Sequence, residues 1–441
     1  MFTRKYLIRL IVPLIVEQLL AATIGLANTL MVSNAGEAVV SGVALVDTVN
    51  QLMLNLFAAL ATGGAIVCAQ YLGRDDDEKA HDAAGQLIAA TAIFSVVLMA
   101  LLLVFKGPVL QLSIGRAAED VMSNASIYFF VSVLSYPFIA LYSACSALYR
   151  SMGNTRVPLL VSVLMNAINI SGSAILIYGL KMGALGAAIA LLIARVTGCA
   201  VIMLLLTHRS NRLFLDFRSI LRMKPTMIPR ILSIGIPNGV ENSLFQLGKI
   251  LVQGVVVSFG TSAIAANAVA NSISNMTNVP GSAVGLAVMT VIGQCMGAGR
   301  HDEAKRYLKQ LTLLSVLIVG GTNLVALAVM NPVLSLYGLE PESLELARQF
   351  VISCSVGGIL FWSFSFTLPN GLRAAGDVRY TMIVSIISMW SFRLAAGYLL
   401  ASPLGLGPIG VWIGMSADWL FRMILFLWRY RNGKWLKHTV V

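Results

Sequence analysis

Apolar residues dominate this chain in long runs that short polar connections separate. Most runs reach about 20 residues, the length that an α-helix needs to cross the hydrocarbon core of a bilayer. Strands would show alternation with period two, and these runs do not. The pattern therefore predicts twelve membrane-spanning helices, at residues 7–32, 43–72, 83–105, 123–148, 157–180, 184–206, 231–257, 264–296, 308–330, 346–370, 381–400 and 408–428.

The composition supports this prediction. Of the 441 residues, 58% are hydrophobic and only 11% are charged, and the mean hydropathy is +0.83. A soluble domain carries roughly a quarter charged residues. The chain therefore has too little charge for a soluble globular protein, a nucleic-acid binder or a disordered segment, and we expect a multi-pass protein in the lipid bilayer.

The basic residues predict the orientation, because short cytoplasmic loops are enriched in lysine and arginine. With the N-terminus inside, 23 of the 31 basic residues fall on the cytoplasmic side, four fall outside and four lie within spans. We therefore expect both termini in the cytoplasm and the protein in the plasma (inner) membrane. The longest basic connection, 207–230, predicts an interfacial helix, because apolar residues recur in it at helical spacing: Leu213, Phe214, Phe217, Ile220 and Leu221.

The chain contains two similar copies of one sequence pattern. A shift of 224 residues, called the repeat offset here, relates them, and the shift is 223 residues at the motif that contains Arg150 and Arg373. A single ungapped shift aligns Pro13 with Pro237, Glu17 with Glu241, Gly36 with Gly260, Gln70 with Gln294 and Gly73 with Gly297. Six helices per copy is an even number, so both copies have the same orientation across the membrane. Secondary transporters are often built from such parallel repeats, with the substrate site between them. The predicted organisation is a lobe at 1–206, a linker at 207–230 and a second lobe at 231–441.

Three motifs, two of them duplicated, bring a family resemblance. They are Asn28-Thr-Leu-Met-Val-Ser33 after a proline-containing first helix, the pair Ala69–Gly73 and Gly293–Gly299, and the pair Arg150–Arg156 and Arg373–Arg379. In order and spacing they resemble the multidrug and toxic compound extrusion (MATE) family. The resemblance implies an all-α membrane protein of two six-helix lobes around a central cavity. It also implies export of organic, often cationic compounds by alternating access, driven by H⁺ or Na⁺ without any other cofactor.

Ionisable groups in the hydrocarbon region cost at least about 2.5 kcal/mol each on insertion scales, so they are candidates for function. Glu17 and its repeat partner Glu241 are candidates for the exchange of a proton or Na⁺, as is Asp47 in the second helix. The alternative for the two glutamates is a structural pair, one in each lobe.

At Asn28 the MATE pattern usually has aspartate, and an asparagine cannot release a proton. Three explanations stay open: coupling moves to Glu17, Asn28 binds Na⁺ through its carbonyl oxygen, or coupling is impaired.

Polar stripes at helical spacing predict the walls of a substrate cavity. The second helix has Asp47, Gln51 and Asn55, its repeat copy has Asn267, Asn271, Asn275 and Asn278, and the seventh helix has Gln246 and Lys249. The alternative is interhelical hydrogen bonding, which contributes about 0.6 kcal/mol per contact on average. Lys249 leaves anionic and zwitterionic substrates open.

Other chemistries find little support in the sequence. The five cysteines and four histidines show no metal-ligand or disulfide spacing, and no nucleophile motif or phosphate-binding loop occurs, so we expect neither a metal site nor an enzyme. The acidic run 75–78 is typical of a helix N-terminus, and Asp418 and Arg422 predict a salt bridge. A flippase of lipid-linked oligosaccharides is the alternative function. The expected partners are a small organic substrate and lipid, with no nucleic acid, and we expect a monomer.

Overall fold

The computed structural model describes residues 1–33, 36–114, 118–215, 226–438 and 440–441. It does not describe the side chains of residues 24–30, 33, 37 and 112–114. The side chain of Asn28 and most of the predicted interfacial helix, with Phe217, Ile220 and Leu221, therefore lie outside the described residues. The described chain is helical nearly throughout and contains no strand.

The contacts divide the chain into two compact units. The first consists of Leu20–Gly239 and is called the N-unit here, and the second consists of Met1–Leu19 and Val240–Val441 and is called the C-unit. The boundaries fall inside the helices Arg4–Ser33 and Met227–Val257. The first nineteen residues therefore belong to the C-unit, although the rest of their helix belongs to the N-unit. The division at 206 and 231 that the repeat suggests stays a prediction.

The N-unit contains most of the first copy of the repeat, from Leu20 onwards. Ser135 separates its helices α5 and α6, which are bent by 46° relative to each other where one span, 123–148, was predicted. Pro137 lies in the first turn of α6 and cannot donate a backbone hydrogen bond, which favours a break at this point. The helices are α1 (Arg4–Ser33, from Leu20 onwards), α2 (Glu37–Gly73), α3 (Asp77–Val104), α4 (Lys106–Ile114), α5 (Glu119–Leu134), α6 (Tyr136–Ser151), α7 (Arg156–Ala174) and α8 (Gly183–Leu206).

The C-unit contains most of the second copy, from Val240 onwards. Its helices are α9 (Met227–Val257, from Val240 onwards), α10 (Thr261–Gly297), α11 (His301–Ala328), α12 (Met330–Ser335), α13 (Pro341–Gly357), α14 (Ser363–Phe366), α15 (Leu368–Ala374), α16 (Val378–Ser388), α17 (Gly397–Ala401) and α18 (Ile409–Arg431). Wider π-helical turns continue α7, α13 and α16 at Ile175–Gly179, Gly358–Trp362 and Met389–Ala396.

Length and composition account for eleven spans among the described residues. Ten helical segments are long and apolar enough to cross a membrane, and the bent pair α5 and α6 makes an eleventh. Helix α9 is not among them, because polar residues such as Asn238, Glu241 and Gln246 lower its hydropathy. Its 31 residues still give about 45 Å of helix, more than a bilayer core needs. The twelve-helix, all-α membrane fold of two six-helix copies is therefore confirmed.

The repeat is visible in the backbone itself. Helices α2 and α10 both have 37 residues and begin at positions that the repeat offset relates, and α3 and α11 both have 28. Before α2 and α10 the chain turns at Gly36 and Gly260, whose φ angles of 112° and 93° favour glycine at both positions. The short helices α4 and α12 also keep the offset, although their sequences are too short to have predicted them.

Each unit has its own apolar core. In the N-unit, Phe57 and Tyr136 are fully buried and pack edge to face, with ring centroids 5.8 Å apart. In the C-unit, Leu10 and Leu14 of α1 pack into a cluster with residues of α10 such as Val288. The acidic run caps α3 as predicted, because the Asp76 carboxylate accepts a hydrogen bond of 3.1 Å from the backbone N–H of Lys79.

Candidate functional site

Each unit contains a cavity of about 280 Å³, and the repeat relates the two. The repeat offset pairs six lining positions of one cavity with six of the other. The pairs are Val43 with Asn267, Asp47 with Asn271, Gln51 with Asn275, Asn169 with Arg393, Ala187 with Val411 and Leu191 with Met415. The two cavities therefore occupy equivalent places in the two copies, and their chemistry can be compared position by position.

Among the described residues that line the N-unit cavity, Asp47 of α2 is the one carboxylate. Its Oδ1 atom accepts a hydrogen bond of 3.2 Å from the Tyr128 hydroxyl and one of 3.0 Å from the Asn50 side-chain amide. Asn50 is in turn held by Tyr136, whose hydroxyl donates to Asn50 Oδ1 at 2.8 Å. The Asp47 side chain stays exposed to the cavity. Helices α5 and α6 thus fix one oxygen of the carboxylate and leave the group accessible.

Arg195 of α8 brings a positive charge into the same cavity. Its side chain is buried, and Nη1 donates a hydrogen bond of 2.7 Å to the hydroxyl of Ser135 at the bend between α5 and α6. Arg195 and Asp47 both line the cavity, so its acid and its base offset each other. The polar side chains Asn169 and Ser173 of α7 also line this cavity.

The C-unit cavity has the same position but different chemistry. Its charged lining residues are Lys249 of α9 and Arg393 of the π-helical turn that continues α16. Amides surround them: Asn267 donates a hydrogen bond of 2.7 Å to Gln253 Oε1, and Asn271 donates one of 2.9 Å to the Asn267 backbone carbonyl. At the positions of Asp47 and Asn169 this copy has Asn271 and Arg393, so an acid is lost and a base is gained.

Three cations surround the ring of Phe245 in this unit. Lys249 Nζ lies 5.3 Å from the ring centroid, and the guanidinium carbons of Arg393 and Arg422 lie at 5.1 and 5.2 Å. Asp418 binds both arginines, with Arg422 Nε 2.8 Å from its Oδ1 and Arg393 Nε 3.0 Å from its Oδ2. The predicted pair of Asp418 and Arg422 is confirmed, and Arg393 is its unpredicted third member.

The two repeat-related glutamates are both buried, at 6% exposure for Glu17 and 5% for Glu241. The Glu241 carboxylate forms an ion pair with Arg373, and the same guanidinium donates a hydrogen bond of 2.7 Å to Asn370. Neither glutamate lines one of the two cavities. For Glu241 this contact agrees with the structural alternative considered above.

The structure brings most of the sequence-predicted cavity residues to these two places. Asp47 and Gln51 line the N-unit cavity, and Lys249, Asn267, Asn271 and Asn275 line the C-unit cavity. Three others lie outside both. Asn55 accepts a hydrogen bond of 3.5 Å from Gln51, Asn278 is buried and donates to Ser274 Oγ at 3.3 Å, and Gln246 is half-buried on α9.

Sequence reasoning missed the contributions of Asn50, Tyr128, Asn169 and Ser173. Tyr128 and Ser173 come from α5 and α7, and only the folded bundle brings them to α2. Asn50 lies next to the predicted stripe rather than in it. The signal that could have found Asn169 is the repeat offset, which pairs it with the intramembrane Arg393.

A bundle of long apolar helices with a duplicated polar cavity defines a multi-pass membrane transporter. A family model described as MatE matches the chain twice, at residues 13–175 and 237–399, and the two matches begin at the repeat-related prolines Pro13 and Pro237. The chain therefore belongs to the MATE family of multidrug efflux transporters.

The relatives agree with this assignment. The chain is 25% identical to the probable multidrug resistance protein NorM of Thermotoga maritima, over 99% of this chain and 94% of that protein. It is 27% identical to the uncharacterized transporter YisQ of Bacillus subtilis, over 96% of this chain and 93% of that protein. It also has the fold of a solved structure described as MATE in complex with MaL6, with a TM-score of 0.90, 22% identity and coverage of 99% and 97%.

Proposed function

We propose that this protein exports drug-like organic compounds, including cations, in exchange for H⁺ or Na⁺. The observation that carries the proposal is the position of Asp47: a carboxylate inside a membrane span that is exposed to a cavity. Such a group can bind a proton, a metal cation or a cationic substrate, and intramembrane acids commonly mark ion or substrate pathways.

The surroundings of Asp47 support a role in coupling. Tyr128 and Asn50 donate hydrogen bonds to Oδ1, so the carboxylate is held in one orientation, and no described side chain donates a hydrogen bond to Oδ2. Gln51, Asn169 and Ser173 add oxygen atoms to the same wall, and oxygen is the ligand that hard cations prefer. Arg195 competes with any cation that binds, because it lines the same cavity.

Alternating access provides the mechanism. A ligand shifts a conformational equilibrium only by its difference in affinity for the two states. A cation on Asp47 removes the negative charge that attracts a cationic substrate, so cation binding and substrate binding exclude each other. Exchange across the membrane follows when the cavity opens alternately to each side. We place both termini in the cytoplasm, the protein in the plasma membrane, and expect it to act as a monomer.

A flippase of lipid-linked oligosaccharides would have to bind a diphosphate. The acid in the N-unit cavity repels such a group, so this alternative receives no support from Asp47.

The test is efflux of ethidium from liposomes that contain the purified protein, with the pH gradient and the Na⁺ gradient imposed separately. Wild-type protein should respond to one of the two gradients, and Asp47→Asn should lose that response. Asp120→Asn, which changes an exposed acid at the start of α5, is the matched control and should behave as wild type. The proposal is contradicted if ethidium efflux by wild type responds to neither gradient. It is also contradicted if efflux by Asp47→Asn responds to a gradient as strongly as efflux by wild type.

The other coupling candidates enter the same assay. Glu17→Gln and Glu241→Gln test the two buried glutamates, and Asn28→Asp restores the acid that the family pattern has at that position. If coupling depends on Glu17 instead of Asp47, the gradient response disappears in Glu17→Gln and persists in Asp47→Asn.

A further inference from the structure

We propose that the C-unit cavity is a binding site for the carboxylate of an organic anion or zwitterion. The inference rests on the proposed function in one respect: it assumes that the bound compound is a transported substrate. The site itself follows from the charges, the amides and the apolar wall of the cavity.

The first observation is the surplus of positive charge. Lys249, Arg393 and Arg422 surround the ring of Phe245, and Asp418 is the one acid that binds any of them among the described residues. The cluster therefore has two more positive than negative charges. A cation–π contact stabilises a cation by about 0.5–2 kcal/mol but leaves its charge in place.

The second observation is that the surplus faces the cavity. Lys249 is exposed and has no ion-pair partner in the part of the chain that the structure describes, and its ammonium group can reach a ligand. Arg393 is buried, with Nε directed to Asp418, but it also lines the cavity. A cationic substrate is repelled at this place, whereas an anion restores the charge balance.

The third observation is the uncharged part of the wall. Gln253, Asn271 and Asn275 offer amide groups that can donate hydrogen bonds to a carboxylate. Trp412, Met415 and Val411 also line the cavity, and the body of an organic molecule can pack against their apolar surface. A lining that combines apolar surface with a few charged or polar groups is typical of small-molecule sites.

The repeat shows that the positive charge is a departure from the other copy. The N-unit cavity has an acid at Asp47 where the C-unit has Asn271, and an amide at Asn169 where the C-unit has Arg393. The two cavities share their place in the fold, so the shared fold does not require the charge difference. The difference changes what each cavity can bind.

Binding of radiolabelled salicylate to the purified full-length protein in detergent tests the proposal, with neutral salicylamide and the cation benzamidine as probes of matched size. Salicylate should bind at least tenfold more tightly than either. Lys249→Gln should weaken salicylate binding about tenfold and leave salicylamide unchanged, whereas Lys249→Arg should retain it. Asn271→Asp, which restores the acid of the other copy, should also weaken it. Lys309→Gln, at an exposed lysine outside the cavity, is the matched control.

Equal binding of salicylate and salicylamide, preference for benzamidine, or full salicylate binding by Lys249→Gln would overturn the inference. Thermal unfolding of each variant shows whether it is folded. If Lys249→Gln does not fold, Lys249→Arg still tests the inference. The assay uses no ion gradient, so its result is independent of coupling. Ethidium efflux that responds to a gradient, without salicylate binding, would leave the proposed function standing and remove this inference alone.

Discussion

The buried guanidinium of Arg393 lies 3.0 Å from the carboxylate of Asp418, measured from Nε to Oδ2, and this contact joins α18 to the π-helical turn after α16. The other oxygen of Asp418 binds Arg422 within α18 at 2.8 Å. One acid thus holds two bases in the interior of the C-unit. Arg393 also lines the cavity that Lys249 lines.

Replacement of Asp418 should destabilise the protein strongly. Asp418→Asn leaves two buried guanidinium groups without an acid, and breaking a buried ion pair costs about 3–5 kcal/mol. We expect a large fall in Tm. Lys249→Gln is the control from the same cluster: Lys249 is exposed, and its loss should leave Tm within the error of wild type. A thiol-reactive fluorophore can record both transitions, because all five cysteines are buried in the folded protein. Equal Tm values for Asp418→Asn and wild type would contradict the structural role of the pair.

The ion pair of Glu241 with Arg373 predicts a recovery in a double variant. Glu241→Gln should lower stability by about 3 kcal/mol, because Arg373 then remains largely buried without its partner. The double variant Glu241→Gln with Arg373→Met removes both charges and should regain most of that loss. A double-mutant cycle on the unfolding free energies measures the coupling between the two residues. Additive effects of the two substitutions would show that they do not form a pair.

Close packing at Gly414 should not tolerate a methyl group. A Cβ atom at Gly414 would lie 2.6 Å from the Cα atom of Gly397, so α18 and α17 would have to separate. Gly414→Ala should cost about 2 kcal/mol, the usual effect of overpacking a core. Gly321→Ala is the control, because nothing lies within 4 Å of that site and alanine favours a helix. A Tm for Gly414→Ala at or above that of Gly321→Ala would show that the helices are not in close contact.

The cap of α3 should make a pH-dependent contribution. The hydrogen bond from the Lys79 side chain, with one from its backbone N–H, holds the pKa of Asp76 below its ordinary value. A lowered pKa in the folded state means that the cap stabilises the protein above the ordinary aspartate range. That stabilisation disappears as the pH falls through the lowered value. Asp76→Ala should therefore have a slightly lower Tm than wild type at pH 7, and the two curves should converge below about pH 4. A difference that stays constant from pH 7 to pH 3 would exclude the carboxylate as its source.

Much of the fold follows from the sequence, because a bilayer permits only a few kinds of backbone structure. Backbone groups in lipid must find their hydrogen bonds within a helix, so apolar runs translate directly into spans. The repeat offset likewise appears unchanged in α2 and α10, in α3 and α11, and in the turns at Gly36 and Gly260. The bend before Pro137 was not predicted, because a run of apolar residues does not show where a helix changes direction.

The candidate site was harder to predict, since it depends on contacts between helices. The stripe of Asp47 and Gln51 identified one wall of a cavity from sequence periodicity. Tyr128 and Arg195 face it from α5 and α8, and no sequence pattern links these residues to Asp47. The same holds for Arg393, whose partner Asp418 lies in another helix. Periodicity describes one helix at a time, whereas charge balance is a property of the packed bundle.

The central claim, exchange of an organic compound for a cation through Asp47, has a direct test. Coupling is reciprocal, so a gradient of ethidium alone should drive the counter-ion in the opposite direction. Liposomes containing the protein are given an ethidium gradient without any ion gradient, and H⁺ movement is followed with an enclosed pH dye and Na⁺ movement with ²²Na⁺. We expect one of the two ions to move against the dye with wild-type protein and neither to move with Asp47→Asn. Ethidium transport without movement of either ion, or equal ion movement with Asp47→Asn, would contradict this claim.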